Sequence, residues 1–152
     1  MIWASGGEYV GEWKNGKVHG KGVKIWASGD KYSGDHRNGT EHGKGTFYYH
    51  TGAKYEGEWK NGKWDGNGAY TWPSGNKYVG EFKDDMLHGK SQIIALDGTI
   101  ATGKWSYDKM VGNWKYYYES GELLRKANYV NGEIISQKCW DKEGNEVECV
   151  RW

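Results

Sequence analysis

One period governs the chain. Stepping by 23 residues from Tyr9 lands on Tyr32, Tyr55 and Tyr78, then on Ala101 and Leu124. Each step also contains a glycine near its end: Gly29, Gly52, Gly75, Gly98, Gly121 and Gly144. Another glycine follows the tyrosine position, at Gly11, Gly34, Gly57, Gly80 and Gly103, and next comes Trp13, His36, Trp59, Phe82 or Trp105. Even the start fits, because "IWASGGEY" at 2–9 echoes "IWASGDKY" at 25–32. Such regularity means stacked repeats, each too small to bury a core alone.

Within a repeat the alternation is two-fold, Tyr-x-Gly-x-Trp and then Gly-x-x-x-aromatic, which is strand periodicity. Glycine-containing turns separate the segments, as hairpins require. The expected fold is all-β: an elongated single-layer antiparallel β-sheet solenoid of 23-residue, two-strand repeats. About thirteen strands at about 4.8 Å spacing would span on the order of 60 Å. The period divides the chain into a partial repeat at 1–8, four repeats over 9–100, and two variant repeats with a C-terminal hairpin cap over 101–152, in one continuous solenoid. "ELLRKA" at 122–127 is the only stretch with any helical character.

Composition says what must hold such a sheet together. Ile, Leu, Val and Phe number only twenty-one of 152 residues, too few for an aliphatic core, but 10 Trp and 12 Tyr supply large burial area per residue. Placing the recurring glycine at the centre of each inter-repeat hairpin pairs Trp26 with Tyr32, Tyr49 with Tyr55, Trp72 with Tyr78 and Ala95 with Ala101. It also sets Gly45 against Trp59, Gly68 against Phe82, Ser91 against Trp105 and Trp114 against Asn128. Phe47 would cover Gly57 and Tyr70 would cover Gly80, large against small on one face. The other face carries Glu12, Asp35, Glu58, Glu81 and Lys104, with Val23, Thr46, Ala69, Gln92 and Lys115, and suits water.

"YVGEWKNGKVHGKGVKIWASGDKY" and "YEGEWKNGKWDGNGAYTWPSGNKY" resemble MORN (membrane occupation and recognition nexus) repeats, a likeness specific over 9–90. Beyond it, "GNWKYYYESGELLRKANYVNGEIISQKCWDKEGNEVEC" resembles the variant MORN repeats of bacterial proteins labelled as antitoxin components. The chain departs from the pattern at Asp85, Ala101 and His36. The resemblance implies a single-layer scaffold. Some members of the family are associated with phospholipid and others hold a partner helix in a groove. A chain that begins in mid-repeat is what a piece of a longer array would look like.

Candidate sites follow from the same frame. His19, His42 and His88 share one repeat position, with Asp65 in the third repeat. Equivalent residues lie two strands apart, about 9–10 Å, too far to share a metal whose donors sit at about 2 Å. His36 and His50 have no partner that spacing assigns. The ladder Glu12, Asp35, Glu58, Glu81 has the same spacing on an open face, where nothing would drive the pKa of one carboxylate away from that of the next. With no nucleophile motif or phosphate loop either, the expectation is no enzyme, no cofactor and no metal.

The aromatic stripe is both core and docking groove: Tyr9, Trp13, Trp26, Tyr32, Tyr49, Tyr55, Trp59, Trp72, Tyr78 and Phe82. A protein segment, helical or extended, is the expected partner, making the chain a non-catalytic interaction or scaffolding module. An anionic lipid surface, met by Lys14, Lys17, Lys60 and Lys63 near turn tips, is the alternative. An antitoxin role rests on the family label alone. A net charge of +1 gives no reason to expect nucleic acid. Residues 9–31 carry five cations and two anions and residues 78–100 two and four, a mild gradient rather than a basic belt. Exposed edge strands would permit an end-to-end homodimer.

Cys139 and Cys149 are both five residues from Gly144, so the pairing rule sets them opposite each other within disulfide reach. They form either a disulfide clamp, which implies an oxidising compartment, or two reduced half-buried thiols. No apolar run approaches the roughly 20 residues of a membrane span. "MIWASGGEYV" lacks the basic and apolar regions of a signal peptide.

Overall fold

The computed structural model describes residues 1–150. Among them are thirteen strands and no helix: β1 (Glu8–Lys14), β2 (Lys17–Ile25), β3 (Lys31–Arg37), β4 (Thr40–Tyr48), β5 (Lys54–Lys60), β6 (Lys63–Thr71), β7 (Lys77–Lys83), β8 (Met86–Ile94), β9 (Ile100–Ser106), β10 (Lys109–Tyr117), β11 (Leu123–Val130), β12 (Glu133–Trp140) and β13 (Glu146–Val147). They are neighbours in sequence order in one open antiparallel sheet. The chain forms two compact units, the first of residues 1–74 with 82–85, the second of 75–81 with the residues from 86 onward.

The turns within repeats are two-residue hairpins. Lys14 pairs with Lys17, Arg37 with Thr40 and Lys60 with Lys63, leaving Asn15–Gly16, Asn38–Gly39 and Asn61–Gly62 at the tips. Both tip residues have positive φ, the type I′ geometry whose twist matches flanking strands. Asp84–Asp85 and Tyr107–Asp108 adopt it without glycine. There the second tip residue, an aspartate in both turns, adds a bond: Trp64 N–H donates to Asp85 Oδ1 at 2.8 Å, and Leu87 N–H to Asp108 Oδ1 at 2.7 Å.

The turns between repeats correct the expected register. Trp26 N–H donates to the Asp30 carbonyl and Gly29 N–H to that of Trp26, so the loop is Ala27–Ser28–Gly29 with Gly29 last, at φ 93°. A three-residue hairpin ends on a left-handed residue, and glycine takes that place, not the middle. The hairpin axis therefore falls one residue earlier, and each partner moves by two. Tyr32 faces Lys24 rather than Trp26, Tyr55 faces Phe47 rather than Tyr49, and Ala101 faces Ile93 rather than Ala95. Trp59 faces Gly43, Trp105 faces Gly89, and Gly45 and Ser91 face Gly57 and Gly103. A move of two leaves every side chain on its expected face.

One pairing changes face as well. A bulge where Tyr117 meets Leu123 and Tyr116 meets Arg125 inserts one residue, so Trp114 faces Ala127 and Asn128 turns to the polar side opposite Asn113. Residues 122–127 are strand rather than helix from Leu123 on, since pairing with β10 and β12 outweighs local propensity.

The tyrosines, not the residues across the inter-repeat hairpin, cover the glycines. Each lies along its own strand over the glycine two residues on and the glycine beside it. A Cβ on Gly45 would sit 2.2 Å from the Tyr32 hydroxyl, and one on Gly68 2.7 Å from that of Tyr55. Phe47 therefore does not cover Gly57; Tyr55 does. In the second unit Gly80 packs on Ser91. Each hydroxyl then donates to the carbonyl three residues ahead, Tyr9 to Glu12, Tyr32 to Asp35, Tyr55 to Glu58 and Tyr78 to Glu81, at 2.7–2.9 Å. The carbonyls of Glu12, Asp35 and Glu58 lie at bulges, as where Gly11 and Trp13 pair with Gly22 and Val18 and the strand partner is out of register.

Candidate functional site

In the first unit the rings form two rows. The lower is a buried herringbone: Tyr9 against His36, His36 against Tyr32, Tyr32 against Trp59, Trp59 against Tyr55 and Tyr55 against Phe82. Centroids are 5.0–5.2 Å apart and planes near perpendicular, the edge-to-face geometry that ring quadrupoles favour. Tyr32 and Tyr55 are 0% exposed. Burial raises both phenol pKa values, and neighbouring acids add to this, so the hydroxyls stay protonated donors.

Above this row lies a half-exposed one. Trp26 meets Phe47 at 5.1 Å, Phe47 meets Tyr49 at 4.4 Å, Tyr49 meets Tyr70 at 6.4 Å and Tyr70 meets Trp72 at 5.3 Å. Trp64 stacks flat on Tyr55 at 4.7 Å. Of the expected groove residues, Trp13 (42% exposed), Trp26, Tyr49 and Trp72 reach solvent, while Tyr9, Tyr32, Tyr55, Trp59 and Phe82 are buried beneath. Trp64 escapes the 23-residue frame because other repeats have Val18, Glu41, Leu87 or Met110 there. Its place opposite Trp59 across a two-residue turn is the signal that finds it.

Tyr78 belongs to the second unit. It too is buried, and burial pushes its phenol pKa up to about 12. The core there is different: Ala101, Trp114, Ala127 and Tyr129, packed by Ile93, Trp105, Met110 and Tyr116. Trp114 lies on Gly103 and its Nε1 donates to the Lys104 carbonyl at 3.2 Å. The Tyr116 and Tyr129 hydroxyls meet at 2.7 Å.

His36 stands where other repeats have tryptophan or phenylalanine. It is 4% exposed, and neither ring nitrogen has a hydrogen-bond partner. Burial lowers its pKa, an effect that Glu41 and the Gly20 and Gly34 carbonyls only partly offset. By contrast, Trp59 Nε1 donates to the Gly45 carbonyl and Trp105 Nε1 to Ser91 Oγ.

The acids of the ladder each hold a backbone N–H. Glu12 Oε2 accepts from Lys21 at 2.9 Å, Asp35 Oδ2 from Lys44 at 3.2 Å and Glu81 Oε2 from Lys90 at 2.6 Å. Glu58 does the same for Asn67. The carboxylates thus close the bulges. His19, His42 and His88 accept through Nδ1, and Asp65 through Oδ2, the N–H of Asn38, Asn61, Tyr107 and Asp84 at 3.3–3.4 Å. These positions serve turn tips, and among the described residues no group of three His, Cys, Asp or Glu could hold a metal. His50 bonds Asp30 through its N–H and Nδ1, both at 2.8 Å, and these bonds lower the Asp30 pKa.

Lys14 with Lys17 and Lys60 with Lys63 flank their turn tips in exposed pairs. Cys139 and Cys149 form a disulfide with Cα atoms 5.3 Å apart. Register places Val147, not Cys149, directly opposite Cys139, so the bond is diagonal. No described helix is long and apolar enough to cross a membrane.

A sheet of two-strand hairpins, the first four carrying an acid at the bulge and a tyrosine whose hydroxyl holds the bulge carbonyl, defines a tandem-repeat β protein. The MORN repeat family matches residues 9–31, 32–54, 55–77 and 78–90, more than half of the chain. The chain belongs to the MORN repeat family, a family of non-enzymatic repeat modules. No curated protein sequence matches it. Among solved structures it is similar in fold to the TCP domain of SAS-4 (dCPAP) of Drosophila melanogaster, determined in complex with a proline-rich motif of Ana2 (dSTIL). The TM-score is 0.51 at 13% identity, over 84% of this chain and 70% of that one.

Proposed function

We propose that the chain is a non-catalytic interaction module whose first unit docks an extended, apolar protein segment on its upper aromatic row. The observation that carries this reading is the row of half-exposed rings from Trp26 through Phe47, Tyr49 and Tyr70 to Trp72, laid on a buried ring floor. Rigid rings bury large area at small entropic loss, and an aromatic trough accepts the preformed polyproline helix well. The neighbour in fold was solved with a proline-rich motif, which supports a protein segment as partner. The roles of the nine stripe residues of the first unit then divide: Trp13, Trp26, Tyr49 and Trp72 touch the partner, and Tyr9, Tyr32, Tyr55, Trp59 and Phe82 hold them up, while Tyr78 belongs to the second unit. The Cys139–Cys149 disulfide supports residence in an oxidising compartment.

The test is a titration followed by tryptophan fluorescence, with a proline-rich peptide and an amphipathic helical peptide as probes. Saturable quenching or enhancement by the proline-rich probe, lost in Tyr49→Ala, is expected. A flat signal with both peptides up to millimolar concentration rejects the reading. Stronger binding of the helical probe would replace the extended segment with a helix.

A further inference from the structure

We propose that the polar face of the second unit is a binding site for an acidic, extended peptide segment, separate from the aromatic row and independent of its role. Five lysines project from that face on successive strands: Lys90, Lys104, Lys115, Lys126 and Lys138. Lys90 is directly opposite Lys104, Lys115 opposite Lys126, and Lys126 opposite Lys138. All five are exposed. Opposed residues of an antiparallel pair have Cβ atoms about 4.5–5.5 Å apart, where like charges repel.

Little on the face relieves that repulsion. Lys138 pairs with Glu146 at 3.3 Å, and Lys126 Nζ lies 5.7 Å from the centre of the Trp140 ring. Glu81 is engaged by the backbone N–H of Lys90. The ammonium groups of Lys90, Lys104 and Lys115 have no carboxylate partner among the described residues. The first unit treats the same face differently: Lys21 bonds Asp35 at 3.1 Å, Lys44 faces Glu58, and Lys54 bonds Glu56 at 3.4 Å. The repeat frame locates the change. Lys104 stands where four earlier repeats have an acid, and Lys115 where they have Val23, Thr46, Ala69 and Gln92.

The lysines also line hollows. Lys90, Lys104 and Lys115, with Gln92, Thr102 and Asn113, border one of about 790 Å³. Lys115, Lys126 and Lys138, with Asn113, Asn128 and Ser136, border another of about 480 Å³. Lys115 and Asn113 belong to both, so the two hollows adjoin.

Charge and shape select the occupant. Five strands at about 4.8 Å spread the ammonium groups over roughly 19 Å, too far for one small anion. An extended peptide puts alternate side chains on one side about 6.7 Å apart, so three or four carboxylates can meet the row while the amides between them offer it hydrogen bonds. A nucleic acid would need a ring to stack on, and the only one bordering either hollow, Trp114, is fully buried.

The test is a titration of the full chain with a labelled decapeptide of alternating glutamate and serine, read by fluorescence anisotropy. We expect binding at low salt that disappears in about 1 M salt, where the screening length is about 3 Å. Combining Lys104→Glu, Lys115→Gln and Lys126→Gln weakens it about tenfold or more, and Lys115→Gln alone weakens it several-fold. The same peptide with glutamine for glutamate does not bind, and Lys14→Gln with Lys60→Gln in the first unit changes nothing. Three outcomes overturn the proposal: no binding at low salt, equal loss from the first-unit pair, or tighter binding of phosphatidylserine vesicles or a single-stranded oligonucleotide than of the peptide. The aromatic reading survives any of these, because it is tested with a different, proline-rich probe and by its loss in Tyr49→Ala.

Discussion

The two units cover their central glycines with opposite arrangements. In the first, a tyrosine on the odd-numbered strand lies over a glycine of its own strand and one of the next, as Tyr32 does over Gly34 and Gly45. In the second, the repeat that follows Tyr78 has Ala101 at the tyrosine position, and the neighbouring strand, which elsewhere carries Gly22, Gly45, Gly68 or Ser91, carries Trp114. The large ring has moved across the strand pair, and Gly103 is covered from the other side. The bulge carbonyl still has its donor: a tyrosine hydroxyl at Glu12, Asp35, Glu58 and Glu81, an indole N–H at Lys104. What the repeat preserves is a ring over bare backbone and a proton for one carbonyl, whichever strand supplies them.

Breaking the second arrangement should have the largest effect. Trp114→Ala uncovers Gly103 and leaves the Lys104 carbonyl without its donor, a loss of about 3–5 kcal/mol in denaturant unfolding. Adding the first unit's solution sharpens the comparison: Ala101→Tyr with Trp114→Gly should recover most of that loss. A double variant no more stable than Trp114→Ala would mean the two arrangements are not interchangeable. Gly45→Ala attacks the first arrangement, since its Cβ would lie 2.2 Å from the Tyr32 hydroxyl, and should destabilise by roughly 1–3 kcal/mol.

Reducing the Cys139–Cys149 disulfide should cost about 2–3 kcal/mol of local stability. Hydrogen exchange would rise at β12 and β13 while the Trp114 cluster keeps its protection; loss of protection throughout would show that the clamp reaches further than its hairpin. The smallest effect is expected at His36. His36→Trp should stabilise by about 1 kcal/mol by giving the ring an N–H donor aimed as in Trp59. The pH dependence has a definite sign. Burial lowers the His36 pKa, so the unfolded chain takes up its proton first, near the ordinary value of about 6.5. Stability is full above that pH and declines as pH falls below it, and the decline should shrink in His36→Trp melting curves.

The period, the strand class and the sorting of rings to one face were legible because a spacing of two survives small errors in register. The register itself was not. Gly29 reads as the centre of a turn, yet its left-handed backbone suits the last position of a three-residue loop. That error of one residue in the axis preserved the face of Tyr32 and Trp26. The single extra residue beside Leu123 did not, and it exchanged Asn128 for Ala127 in the core. Half of the expected groove is floor, because alternation assigns a face and says nothing of depth. The lysine face was hidden by counting charges along the chain: 78–100 is net acidic, and it takes cross-strand pairing of Lys90 with Lys104 and of Lys126 with Lys115 and Lys138, and the hollow that Lys104 and Lys115 share across a register shift, to gather the five into one patch.

The missing indole at residue 36 has a mechanical meaning. Trp59 and Trp105 each rivet a repeat to the one before it, through a carbonyl and a hydroxyl that belong to the earlier repeat. His36 lies in the same seat with no rivet. Under load, or in acid, the array would open first along the seam between 9–31 and 32–54, releasing its leading hairpin while the rest of the first unit stays shut.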